Sequence, residues 1–305
     1  MLAVAVTATM MLMPSGAEAK KTPKRIIALT PFSANVLADL GIRPRAVGEI
    51  PIGDGAANPY NAKIKRWIRA GKIRQLTLSH GNRGPNREVV TKLNPGLILS
   101  ERTWRESTRY FRDVARIKVL EAEPVKTGQI GAKIKNIGKA VGKKKKAKKL
   151  AKKYTKRLKN VSNAKRKIKN RKRVLVLMGF GGDSHLLAFT GKSWGGNLVK
   201  RAGGRLLTSG LEKGDSSQLA ISGGFVSISP EVVLQREPWA LIVVPHGNPS
   251  EIASIKQSIR SNVTLQNTNA VRNGRLFFST DNALLQSNTN TNKVVKRVRR
   301  WLKTW

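Results

Sequence analysis

Between Gly131 and Arg173 the chain carries 21 lysines or arginines and not one aspartate or glutamate. As an isolated helix such a run repels itself, because like charges four residues apart sit on the same face. Yet Ile134, Ile137, Val141, Ala147, Leu150, Tyr154, Leu158 and Val161 recur at intervals of three, four or six residues, which marks one apolar helical face. The stripe therefore has to lie on a larger apolar body, with the lysines fanned into solvent. A continuous helix over the 34 residues 129–162 would be roughly 50 Å long at the usual rise per residue, long enough to bridge two domains. The run supplies half of a formal charge of +42, from 59 Lys and Arg against 17 Asp and Glu on 305 residues. Its cationic face reads as a solvated surface or as a contact for a polyanion, either anionic wall polymer and lipid headgroups or nucleic acid. Tyr154 is the one aromatic in it, which weakens the case for base stacking and for a specific nucleic-acid partner.

The flanks have a different rhythm. Ile26 to Leu29, Ala34 to Leu40, Leu97 to Leu99 and Ile117 to Leu120 are short apolar runs separated by turn residues and amphipathic segments. The pattern resumes with Arg173 to Met178, Leu198 to Ala202, Ala240 to Val244 and Leu276 to Ser279. Such runs alternating with helical segments predict βα units around buried parallel strands. The expected fold is α/β: two βα lobes with parallel-type sheets, 20–128 and 171–305, joined by one long rigid α-helix within the polybasic segment 129–170. The two lobes echo each other. Glu88-Val89-Val90 precedes Pro95 and the run Gly96 to Leu99, and Glu231-Val232-Val233 precedes Pro238 and the run Ala240 to Val244 at the same spacing. Each phrase predicts a short helix opening near a glutamate, a proline stop and a buried strand. Either any βα fold generates such phrases, or each lobe presents one glutamate in an equivalent place.

Residues 1–19 predict a signal peptide. Met1 to Met13 is apolar or small, Pro14-Ser15-Gly16 break it, and Ala17-Glu18-Ala19 form a small-x-small cleavage pattern, although no basic residue precedes the apolar run. The apolar stretch is too short to span a bilayer. A mature chain in the periplasm, or otherwise outside the cytoplasm, is expected. The absence of cysteine excludes disulfides, thiolate nucleophiles, Cys-ligated zinc, Fe–S clusters and a lipidated cysteine.

Signals for catalysis are weak. His80, His185 and His246 are far apart and lack a paired metal-ligand spacing. Gly191-Lys192-Ser193 resembles the end of a phosphate loop, but Leu186 stands where its first glycine is needed. Gly179-Phe180-Gly181-Gly182 follows a strand, yet Ser184 occupies the position of the last glycine of a dinucleotide fingerprint. Acids are too scarce to nominate a carboxylate pair, and no Gly-x-Ser-x-Gly elbow occurs. No enzyme activity is expected.

Four phrases together carry a resemblance. Arg25-Ile26-Ile27-Ala28-Leu29-Thr30-Pro31 leads into a helix ending Leu40-Gly41; Asn86-Arg87-Glu88 leads to Leu93-Asn94-Pro95-Gly96-Leu97-Ile98; Ile137-Gly138-Lys139-Ala140-Val141-Gly142 lies in the linker. The fourth runs through Arg173 to Leu177, Thr190-Gly191, Ala202-Gly203-Gly204, Ser229-Pro230-Glu231 and Ala270 to Leu276. In order and spacing the chain resembles the extracytoplasmic substrate-binding proteins of ABC importers that capture cobalamin, haem and ferric siderophores. The resemblance implies a monomer of two α/β lobes on a rigid helix, with one small-molecule metal chelate in the cleft and little hinge motion. A ferric siderophore is the expected chelate, with cobalamin or haem as alternatives. No protein-held cofactor or metal is implied, because the ligand brings its own. By the same likeness Glu88 and Glu231 would dock onto arginines of the membrane permease, fixing orientation more than affinity.

Candidate ligand residues occupy loops after the expected strands: Thr30, Pro31 and Phe32; His80 and Arg83; Trp104 and Arg105; Phe180, His185, Phe189 and Trp194; Asp281 and Asn282. Aromatics would pack the organic shell of a chelate, and arginines would neutralise an anionic complex. For Trp104 and Trp194 core packing is an equal reading, and Arg83 and Arg105 also read as surface charge. Haem would add an axial ligand, for which Tyr60, Tyr110, His80 and His185 remain open.

Overall fold

The computed structural model describes residues 23–49, 59–79, 84–102, 104–163, 170–179, 186–211, 224–245, 251–279 and 282–303. The expected signal peptide 1–19 and the candidates His80, Arg83, Phe180, His185 and Asp281 lie outside the described residues.

The first sheet contains β1 (Ile26–Ala28), β2 (Ala46–Glu49), β3 (Arg74–Ser79), β4 (Gly84–Pro85), β5 (Leu97–Ser100) and β6 (Val119–Glu121) in the order β4-β3-β2-β1-β5-β6. All neighbours are parallel except the short β3–β4 pair. Strand alternation sends Ile26, Ala28, Leu97 and Leu99 into one core and Ile27, Leu29 and Ile98 into another, so both faces of the sheet are covered. Helices α1 (Pro31–Leu40), α2 (Ala62–Arg69), α3 (Arg87–Lys92) and α4 (Arg105–Arg109) belong to this lobe. Thr30 caps α1 through its side chain, and Pro31 opens the first turn, where a missing N–H costs nothing.

The second sheet contains β7 (Arg173–Gly179), β8 (Leu186–Phe189), β9 (Arg205–Leu206), β10 (Phe225–Ile228), β11 (Ala240–Pro245) and β12 (Leu276–Phe278). Its order is β10-β8-β7-β11-β12, with β9 also beside β7. The centre, β7–β11–β12, is parallel, whereas β8 runs antiparallel to β7 and β10. Between β6 and β7 lie α5 (Ile130–Ala140) and α6 (Lys144–Asn163). After β8 come α7 (Trp194–Ala202), α8 (Pro230–Gln235), α9 (Glu251–Ser261), α10 (Val263–Gln266), α11 (Asn269–Arg272) and α12 (Thr291–Trp301).

The linker corrects one expectation. Residues 129–162 do not form one continuous helix: α5 ends at Ala140, Gly142 turns the chain at φ 69°, and α6 runs back along α5. A Cβ placed on Gly138 would stand 2.0 Å from that of Ala147, and one on Gly131 would stand 3.5 Å from Thr155 Oγ1, so the two helices are antiparallel and nearly in backbone contact. The repeat of apolar residues continued through the turn because both helices bury their stripes in the same core. Ile134, Ile137, Val141, Ala147, Ala151, Leu158 and Val161 all lie in the cluster that also holds residues of both sheets. It is α6, with 20 residues and about 30 Å of length, that bridges the lobes: Lys146 Nζ donates to Leu40 O at the end of α1, and Ser162 Oγ accepts from Arg201 of α7.

The internal echo is structural as well. α3 and α8 have six residues each and are capped by Asn86 and Ser229, which accept from Val89 N and Val232 N. Each is followed by a left-handed residue, Asn94 at φ 44° and Glu237 at φ 43°, directly before the proline.

Candidate functional site

In a parallel sheet, ligand crevices form at the carboxyl ends of strands where the order reverses. In the first sheet the order reverses between β1 and β5, whose carboxyl ends lead to Thr30 and to Ser100-Glu101. In the second it reverses between β7 and β11, which end at Gly179 and Pro245 as register partners.

The lobes touch beside the first of these reversals, through residues that follow β6 and β12. Glu123 lies two residues beyond β6, and its Oε1 accepts a hydrogen bond from Ser287 Oγ, 164 positions away and beyond the carboxyl end of β12. Thr30, after β1, and Glu101, after β5, flank the same carboxyl group. Its Oε2 is shielded from water and has no hydrogen-bond partner, although the residue as a whole is partly exposed. Burial first and the nearby Glu101 charge second push the Glu123 carboxyl up to about 8, against the opposing hydrogen bonds from Ser287 and Thr30. At neutral pH this group is mostly protonated.

Glu123 belongs to a wider seam. The segment 282–291 of the second lobe returns across the interface. There Gln286 and Asn282 are 8% and 2% exposed, and the Gln286 amide and Asn282 Nδ2 lack partners. Thr289 flanks the Tyr154 hydroxyl, which donates to Asp39 Oδ2 of α1 at 2.5 Å. Thr127 N donates to Asn197 Oδ1 at 3.1 Å, and Arg201 Nε donates to Thr127 Oγ1. Burial holds the Arg201 guanidinium below its usual range. α5, α6 and this seam thus fix the lobes to one another.

The structure separates the sequence candidates. Thr30 and Pro31 are buried at the start of α1 beside the seam. Phe32 and Phe189 are wholly buried, the latter edge-on to Phe225 at 4.7 Å, so their rings serve the core. Trp104 is 3% exposed and packs with Ile27, Leu29 and Phe111 on the far face of the first sheet. Trp194 donates its Nε1 to Ala283 O at 3.1 Å and is likewise buried. Arg105 is exposed at the start of α4. Asn282 is buried in the segment that crosses the seam. Glu88 and Glu231 are exposed in the first turns of α3 and α8, and the Ser229 hydroxyl beside Glu231 holds its carboxyl below the usual range.

Two of the open axial-ligand candidates are otherwise engaged. The Tyr60 hydroxyl donates to Gly48 O and is pushed up by burial and then by the Glu49 charge, and Tyr110 lies against Phe111 and Arg87. The residues that sequence reasoning missed are Glu123, Ser287 and Gln286, and the reading that acids were too scarce to pair overlooked Glu101 beside Glu123. Among the described residues, no group of three or more His, Asp or Glu could hold a metal ion, and no helix is long and apolar enough to cross a membrane.

The periplasmic binding protein family matches the sequence over residues 26–283. The sequence is 28% identical over 194 residues to the high-affinity heme uptake system protein IsdE of Staphylococcus aureus (strain Newman). That alignment covers 63% of this chain and 62% of the relative, so the match spans under two thirds of the relative's length. Among solved structures, S. aureus IsdE complexed with heme superposes with a TM-score of 0.72 at 21% identity, over 92% of this chain and 99% of that one. An ABC transporter substrate-binding protein from Listeria monocytogenes EGD-e gives 0.72 at 21% identity over 93% and 99%. The periplasmic vitamin B12 binding protein BtuF of Vibrio cholerae gives 0.66 at 16% identity over 92% and 97%.

Proposed function

The chain belongs to the periplasmic binding protein family, among the substrate-binding proteins of ABC importers for haem, cobalamin and siderophores, and from that premise we propose that it captures a metal chelate between its lobes and delivers it to a membrane permease. The observation that most supports this reading is the contact of Glu123 with Ser287 of the other lobe, beside Thr30 and Glu101 at the order reversal of the first sheet, where ligand crevices form in parallel sheets. Haem leads the chelates, ahead of the ferric siderophore first expected and of cobalamin. The sequence similarity to a haem uptake protein supports that order. Export by the leader 1–19 and release as an unlipidated monomer complete the reading, and turnover of the ligand forms no part of it.

The test is a thermal-shift and absorbance titration of the chain from Lys20 against haem, ferric hydroxamate and catecholate siderophores, ferric citrate and cobalamin. One saturable ligand at 100 times its Kd is expected to add about 2.7 kcal/mol of stability. No shift with any of the five would overturn chelate capture, and a shift with a siderophore alone would displace haem.

Glu88 and Glu231 are proposed as the permease contacts, since both are exposed, one per lobe, on equivalent capped helices. Changing both to alanine is expected to lower uptake in cells roughly tenfold or more while leaving chelate affinity within about twofold. Uptake equal to that of the wild type would remove them from that role.

A further inference from the structure

Capture of a chelate makes no use of the outer face of α6. Lys144, Lys145, Lys148, Lys149, Lys152, Lys153, Lys156, Arg157 and Lys159 are all exposed there. Residues 144, 148, 152 and 156 form one row along the helix and 145, 149, 153 and 157 the next, with a rise of about 6 Å per step. Ala147, Ala151, Leu158 and Val161 are buried on the opposite face, and Tyr154 turns inward to Asp39. No acid occurs from Pro124 to Gly182 to neutralise the rows. The ion pairs Arg87–Glu106 and Arg173–Glu237 both lie off α6. α12, packed against α6, adds exposed Lys293 and Lys296.

We propose that this ridge is a docking surface for a phosphodiester polyanion of the cell envelope. A straight double row of point charges suits a linear polymer with regularly spaced phosphates, which gains affinity by releasing its condensed counterions. A bilayer is a poorer partner, because the exposed side chains of α6 include no apolar group or aromatic that could insert beneath headgroups. Nucleic acid is poorer too, because lysine outnumbers the single arginine in the rows and no aromatic platform is exposed. The ridge is also free to act while the lobes are docked. Val90 of α3 and Val233 of α8 pack in cores on the sheet faces opposite the one that α6 covers, so Glu88 and Glu231 lie away from it. The inference takes only the extracytoplasmic location from the proposed function, and it stands whichever chelate is bound.

The experiment compares binding of the chain from Lys20 to poly(glycerol phosphate), to a DNA strand of equal charge and to phosphatidylglycerol vesicles, across a salt series. The test variant changes Lys148, Lys149, Lys152 and Lys153 to glutamine, which keeps helix propensity. An equal-charge control changes the exposed Lys65, Arg66, Arg69 and Lys72 to glutamine. For the polymer, the slope of log affinity against log salt is expected to flatten by about 3 in the test variant, at about 0.7 per lost phosphate contact, and affinity at physiological salt to fall tenfold or more. The control is expected to lose far less. Equal losses in the two variants, or tighter wild-type binding to DNA or vesicles than to the polymer, would overturn the proposal. Unchanged melting temperature and unchanged chelate affinity in the test variant separate a lost surface from a lost fold. Amide-exchange protection of α6 by the polymer in the wild-type chain gives a second readout that needs no variant.

Discussion

Gly138→Ala is expected to destabilise the chain by about 1–3 kcal/mol, the usual range for overpacking a filled core, despite a helix-propensity gain of about 1 kcal/mol for the same change. The added Cβ would lie 2.0 Å from the Cβ of Ala147, a residue with no solvent exposure, so α5 and α6 have to separate before both atoms fit. Each kcal/mol corresponds to a drop of roughly 2–4 °C in melting temperature for a domain of about this size. Ala147→Gly in the same chain is expected to restore much of the loss by returning the missing space to the other helix. A thermal melt of the single and double variants measures this. A single variant as stable as wild type would mean that the hairpin is not packed at backbone distance.

Glu123→Gln is expected to change the pH dependence of stability more than any other single substitution at the seam. The folded chain holds the Glu123 proton up to about pH 8, whereas the ordinary value is 4.5. Between those values the folded state binds a proton that the unfolded state has released, so stability falls as pH rises from about 4.5 to about 8 and is level above that. Glutamine keeps the neutral shape and removes the titration. The variant is therefore expected to lose most of that decline and to exceed wild type by about 1–3 kcal/mol above pH 8, allowing for partial hydration of the site. Urea unfolding at pH 6 and pH 9 measures it, and parallel pH profiles for the two chains would show that the Glu123 carboxyl is ionised throughout.

The βα rhythm was legible because strand runs such as Ile26 to Leu29 and Ala240 to Val244 are buried on both faces and leave continuous apolar words in the sequence. The equivalence of α3 and α8 was legible because cap, glutamate and proline are local signals. The turn at Gly142 was harder to see: the cationic composition and the apolar spacing both continue across it. The informative signs were Gly131 and Gly138, seven residues apart on one face, where a second helix comes close. The antiparallel direction of β8 left no mark, because a strand of Leu186 to Phe189 has the same composition in either direction. The seam was illegible for a different reason. Glu123 and Ser287 are 164 positions apart, and only the meeting of the two lobes brings them together. Burial of the aromatic candidates was no easier to read, because Phe32, Phe189, Trp104 and Trp194 sit near strand ends in sequence, where loop and core positions look alike.

The repeated unit of capped helix, left-handed residue, proline and strand has a consequence for recognition. It gives the molecule two near-copies of one handle, one on each lobe, differing chiefly in what surrounds them. A permease assembled from two identical subunits offers two identical grips in return. With Glu88 and Glu231 as the proposed permease contacts, either handle would fit either grip, and the loaded protein would have two productive landing poses.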